Sequence, residues 1–161
     1  MINKENLTKV FNLLSNDETL CRLLIYKDNP LSETYDDIVG SDEHLNLINN
    51  IIKFYPQFID IDDTEKCRMA LYKGSTRSID DVPALKRDLI QIDVYIPTRF
   101  TDMDMRIYDV EERILALLDN KRIDEFSKLK CTSCIFVSMP SITGYTVYKI
   151  SFDKVESRGV R

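Results

Sequence analysis

The chain has 161 residues, of which 22 are Lys or Arg and 27 Asp or Glu, giving a net charge of −5, and 43% of its side chains are hydrophobic. That is ordinary globular usage at a length suited to one domain with its own core, and the acidic balance argues against a nucleic-acid binder, whose affinity rests on phosphate contacts. No apolar run approaches the ~20 residues of a membrane helix, and the opening MINKENLTKV lacks a secretory apolar stretch, so the expectation is a soluble protein made in the cytoplasm, with no membrane partner.

Residues 1–56 read as helices. Leu7, Val10, Phe11 and Leu14 recur at helical spacing and predict a helix over 4–14. A second is predicted over 17–26, with Asn16 as N-cap, Asp17 and Glu18 at the positive end of the dipole, and Leu20, Leu23 and Leu24 as its stripe. Asp28-Asn29-Pro30 stops it, and LSETYDDIVG reads as a loop. A third helix is predicted over 42–54, capped by Ser41, with Leu45, Ile48, Ile51, Ile52 and Tyr55 on one face and Pro56 at its end.

Residues 65–153 carry a different pattern, strands around one helix. KCRMALYKG (66–74) reads as a strand ended by Gly74. STRSIDDVPALKR (75–87) has no consistent period and reads as a long hairpin loop, a feature that in compact domains is usually functional or mobile. DLIQIDVYIP (88–97) alternates cleanly, with Ile90, Ile92, Val94 and Ile96 on one face and Gln91 and Asp93 on the other. A helix over 102–119 follows; Thr101 and Asp104 have the form of a capping box, Ile107, Val110, Ile114, Leu117 and Leu118 make the buried stripe, and Asp109 and Arg113 can pair at i, i+4. CTSCIFVSM (131–139) and YTVYKISFD (145–153) are the closing strands, joined by a turn at Pro140-Ser141 and Gly144. The expected fold class is α+β in a single domain spanning 1–161, with N-terminal helices followed by a four-stranded, mainly antiparallel sheet carrying one packed helix, in the order strand-loop-strand-helix-strand-strand.

Chemistry is hard to place. There is no glycine-rich phosphate loop in a chain with 4 Gly, and His44 is the single histidine, placed by spacing in a first helical turn beside no nucleophile. Cys131-x-x-Cys134 invites a zinc or redox reading. A zinc site needs further ligands, though, and Cys21 and Cys67 are isolated in sequence; if 131–134 is extended, the two thiols point to opposite faces. Buried or half-buried free thiols are the expectation. The acidic run Asp60, Asp62, Asp63 and Glu65 lacks the glycine of a calcium loop and reads as a solvated connector. No catalytic set, cofactor site or metal site is expected. A basic cluster of Lys66, Arg68, Lys73, Arg77, Lys86 and Arg87 is interleaved with Asp80, Asp81 and Asp88, a mixture suited to protein contacts more than to nucleic acid.

The strings KCRMALYKG, the loop 75–87, DLIQIDVYIP, RIYDVEERILALLDN and IFVSMPSITGYTVYKISFD, in that order, resemble the tail-terminator and head–tail joining (neck) proteins of long-tailed bacteriophages. The resemblance covers 65–153 and rests on topology and pattern, without a signature motif. It implies a non-enzymatic structural protein of the virion tail or neck. Such a protein forms a homo-oligomeric ring, commonly a hexamer, that caps the tail tube protein and docks on the head–tail connector or stopper protein, with DNA only as passing cargo. The long loop would then project to a neighbour, with Arg77, Asp80, Asp81, Lys86 and Arg87 as interface candidates. The alternatives are another neck or head-completion protein, or a small α+β ligand-binding or enzymatic domain, which would need a concave pocket with converging polar groups.

Overall fold

The computed structural model describes residues 2–56, 66–74, 77–79, 82–138 and 142–156. Its elements run α1 (Lys4–Ser15), α2 (Glu18–Ile25), α3 (Asp42–Asn46) continued as a π turn (Leu47–Ile51), β1 (Ile52–Lys53), β2 (Arg68–Lys73), β3 (Arg77–Ile79), β4 (Val82–Arg87), β5 (Leu89–Pro97), α4 (Thr98–Asp104), α5 (Arg106–Leu118), β6 (Ser127–Phe136) and β7 (Tyr145–Glu156). The class is α+β, helices first.

The N-terminal helices follow their local chemistry. Asn3 and Asn6 cap α1 reciprocally, each side chain accepting from the other's backbone N–H. The N-cap of α2 is Asp17, one residue beyond the expected Asn16, because its carboxylate reaches the N–H of Leu20 at 2.8 Å. The third helix is cut short. Ser41 caps it as expected, but it widens into a π turn and gives way at Ile52 to extended backbone. The β-branched pair Ile51-Ile52 is buried, and Ile52 lies opposite Met69 in a short parallel pairing with β2. Leu45 and Tyr55, expected on the buried face, are exposed.

The sheet therefore has five strands, in the order β1-β2-β5-β7-β6, rather than four; every pairing except β1–β2 is antiparallel. Ile90, Ile92, Val94 and Ile96 of β5 join Val10 and Leu14 of α1, Leu20 and Leu24 of α2, and Ile107, Val110, Ile114 and Leu118 of α5 in one continuous core. So α1 and α2 lie on the same sheet face as α5, and the expected single covering helix becomes three.

The predicted helix over 102–119 is two helices. Met105 adopts the left-handed conformation at φ 54°, which ends α4 and restarts the chain as α5. Thr101 and Asp104 form no capping box; both lie inside α4. Arg106, fully buried, explains the break. Its guanidinium donates to the carbonyls of Tyr26 at 2.5 Å and Lys27 at 2.7 Å, pairs with Asp104 at 2.7 Å, and lies 4.7 Å from the Phe100 ring centre. It thereby satisfies carbonyls at the end of α2 that would otherwise be orphaned.

Candidate assembly surface

Segment 75–87, expected as a long hairpin loop without strands of its own, contains a β-hairpin. β3 and β4 pair antiparallel with Arg77 opposite Arg87, Ser78 opposite Lys86 and Ile79 opposite Val82, with a register shift after Ser78. Pro83 falls within that shift, where the ladder asks no N–H of it. The period is hidden from the sequence because the shift interrupts the alternation. Three interface candidates, Arg77, Lys86 and Arg87, thus lie on paired strands. Asp80 and Asp81 lie outside the described residues, as do the acidic run 60–65 and the Pro140-Ser141 turn. The hairpin forms its own two-stranded sheet and begins where β2 ends. At its base Gly74 N–H donates to the Leu89 carbonyl at 2.7 Å, and Lys73 pairs with Asp88 at 3.0 Å.

A second surface lies at the far side of the sheet, where β6 is the outermost strand. Its last two residues, Ile135 and Phe136, are 52% and 55% exposed, and Tyr108 and Met105 near the start of α5 are exposed as well. The Phe136 ring stands edge-on to Tyr108 at 6.2 Å and to Tyr148 at 4.6 Å, so these side chains form one aromatic patch. An outermost strand beside exposed apolar rings is a site at which other chains add. The signal in the sequence is Tyr108, an aromatic that falls off the buried stripe Ile107–Val110–Ile114.

The sheet face away from the helices is buried too, and it holds a polar row. Asp93, 1% exposed, accepts from the Tyr72 hydroxyl at 2.8 Å and lies 3.7 Å from Lys149 Nζ, its cross-strand neighbour. Burial pushes the Asp93 carboxyl above its ordinary range, against the opposing pull of Tyr72 and Lys149. Arg68, Tyr95, Ser151 and Asp153 are buried along with it. The outward placement of Asp93 and Lys149 matches the alternation of both strands; the burial of Asp93 does not follow from it.

The remaining candidates are structural. His44 bridges two elements, accepting from Gly40 N–H at 3.2 Å on Nδ1 and donating from Nε2 to the Ser15 carbonyl at 2.7 Å. Arg113 pairs with Asp17 instead of Asp109. Cys131 and Cys134 are half-buried free thiols as expected, yet they do not face opposite ways: their sulfurs are 3.6 Å apart. The register of β6 on β7 shifts between Cys131 and Ser133, and this bulge at Thr132 turns both cysteines to the helix side. Among the described residues no group of three or more His, Cys, Asp and Glu is arranged to hold a metal ion. A half-open groove of about 400 Å³ at the start of α1 is lined by Ile2, Leu7 and Phe54 with Lys4 and Lys73 at its edge, and its lining contains no carboxylate, thiol or imidazole. No helix among the described residues is long and apolar enough to cross a membrane.

Residues 17–154 match the YomW family, a span that runs from the N-cap of α2 into β7 and includes both surfaces above. The chain is 31% identical over 158 residues to the SPbeta prophage-derived uncharacterized protein YomW of Bacillus subtilis (strain 168), covering 92% of this chain and 94% of that protein. With nearly full-length coverage on both sides, this phage-derived chain belongs to the YomW family.

Proposed function

We propose that this protein is a structural virion component of a long-tailed phage: a ring, hexameric in the resemblance, that caps the tail tube and joins it to the head connector. The observation that carries the reading is kinship with a prophage-derived protein combined with the element order strand, hairpin, strand, helix, closing strand pair. The surfaces support it. The β6 edge with Ile135, Phe136 and Tyr108 suits contact between copies around a ring, and the hairpin suits contact with the tail tube or the connector protein. The net acidic charge suits a channel through which DNA passes without being held.

The test is deletion of the gene from an inducible lysogen, with electron microscopy of the induced lysate. The expected result is DNA-filled heads beside unattached tails of irregular length. Unattached tails of normal length would move the protein to another neck position. Normal joined particles would overturn a structural role.

A further inference from the structure

The bulge at Thr132 does more than disturb a register. In a regular strand, residues three apart point to opposite faces. Here the extra residue carries Cys131 and Cys134 to one face, 3.6 Å apart, and Thr132 is pinned by its hydroxyl to the Ser151 carbonyl at 3.1 Å. Cys131 N–H is held by Asp119 at 2.8 Å, so both ends of the bulge are fixed. A disulfide has its sulfurs about 2 Å apart, so side-chain rotation has little distance left to close.

We propose that Cys131 and Cys134 are a redox pair that closes into a disulfide across the β6 bulge by exchange with a small-molecule disulfide. The inference does not depend on the assembly role. In the first step the Cys131 thiolate attacks one sulfur of the external disulfide; that S–S bond breaks, a mixed disulfide forms, and the released thiolate takes a proton. In the second step the Cys134 sulfur attacks Cys131 Sγ, the mixed S–S bond breaks, and the departing small thiolate takes the Cys134 proton and leaves as the second small thiol. The balance is two protein thiols oxidised and one disulfide reduced to two thiols. Cys131, whose sulfur lies at an exposed contact with the Ser133 carbonyl, is the member an external disulfide reaches, while burial first, with Cys131 and Glu111, pushes the Cys134 thiol up to about 12 and suits it to resolve. Cys21 and Cys67 are buried among core side chains and pushed up to about 12 by burial, so they serve as internal controls. Closure fixes the outermost strand just before Ile135 and Phe136.

The experiment equilibrates the folded, full-length protein in reduced and oxidised glutathione at graded ratios, then alkylates and digests it with trypsin. Both cysteines fall in the single peptide 131–149, after Lys130 and ending at Lys149. The expected result is joint loss of both alkylation sites in that peptide, with a mass lower by two hydrogens, while Cys21 and Cys67 remain thiols. Cys134→Ser should stop at a glutathione adduct on Cys131. Cys131→Ser should leave Cys134 alkylatable at every ratio, and circular dichroism on that variant establishes that the sheet survives. The proposal is overturned if both thiols of the folded wild type stay alkylatable in fully oxidised buffer, if only glutathione adducts or cross-linked dimers form, or if the pair copurifies with zinc.

Discussion

Asp17 and Arg113 are 96 residues apart in sequence and form a two-pronged ion pair, Nε to Oδ1 at 2.9 Å and Nη2 to Oδ2 at 2.6 Å. The same carboxylate caps α2 through Leu20 N–H. One side chain therefore starts α2 and fastens it to α5. Asp17→Ala should cost about 1.5 kcal/mol, roughly 1 from the cap and about 0.5 from the pair, whose arginine is partly solvated. In a chain of this size that lowers the melting temperature by about 3–6 °C. Arg113→Ala should cost only the smaller part, and Asp17→Asn should behave like Arg113→Ala because the amide oxygen still caps. Thermal denaturation of the three variants checks the order.

Acid should unfold the protein through this region. Burial alone would raise the carboxyls of Asp17 and Glu18. Both are nevertheless held below the ordinary range, Asp17 by Arg113 and Leu20 N–H, and Glu18 by the N–H groups of Val39 and Ile38 together with Arg22. A carboxylate with a depressed folded pKa contributes its full stabilisation above its unfolded value and loses it as pH falls through the folded one. Stability should thus fall as pH drops from about 5 toward 3. Asp124, held at about 2 chiefly by its hydrogen bond from Lys154, should give way last. Urea midpoints across this range should fall less steeply for Asp17→Asn than for the wild type.

Asp93 has the opposite sign. Its folded pKa is raised, so its ionisation opposes folding as pH climbs from its unfolded value through its folded one. Lys149→Met removes the cation 3.7 Å away and leaves a buried carboxylate held only by Tyr72 among its described partners. The cost should be about 2–3 kcal/mol at pH 7 and smaller at pH 5, where the carboxyl can protonate. Adding Asp93→Asn should recover most of the loss. Equal costs for the single and double variants would show that Lys149 acts through packing alone.

Legibility followed how local each cause was. The stripe of α5 and the alternation of β5 could be read because burial on one face leaves a period in the sequence, and those residues occupy the core as expected. The break at Met105 could not be read, because its cause, the buried Arg106 holding carbonyls of Tyr26 and Lys27, spans about eighty residues of chain. The hairpin in 75–87 and the pairing of Cys131 with Cys134 were hidden for one shared reason: each contains a register shift, and a shift of one residue inverts the facing rule on which strand reading depends. Of the candidate surface, the hairpin segment was visible as an anomaly in length, whereas the β6 patch depends on which strand ends outermost, a property of topology.

The last prediction separates the hairpin from the core. Ile114 is fully buried at the centre of the α5 stripe, and Ile114→Asp places a carboxylate among apolar side chains at a cost of several kcal/mol, against a total stability of about 5–15. That variant should be unfolded or insoluble. The hairpin should behave otherwise. β3 and β4 pair with each other and with no strand of the five-stranded sheet. The contacts that close its base, Gly74 to Leu89 and Lys73 to Asp88, lie outside 76–85. Gly74 is left in place, since a Cβ there would sit 2.6 Å from the Gln91 side chain and displace it. Replacing Thr76–Leu85 by a short Gly/Ser turn shortens a closed loop whose entropy changes slowly with length, so the melting temperature should move by no more than about 5 °C. If the hairpin is the contact with the tail tube or connector, a lysogen carrying this replacement should release unjoined heads and tails despite a folded, soluble protein. Joined, infectious particles at normal yield would remove the hairpin from assembly and leave the β6 edge as the surface to test, starting with Phe136→Ser.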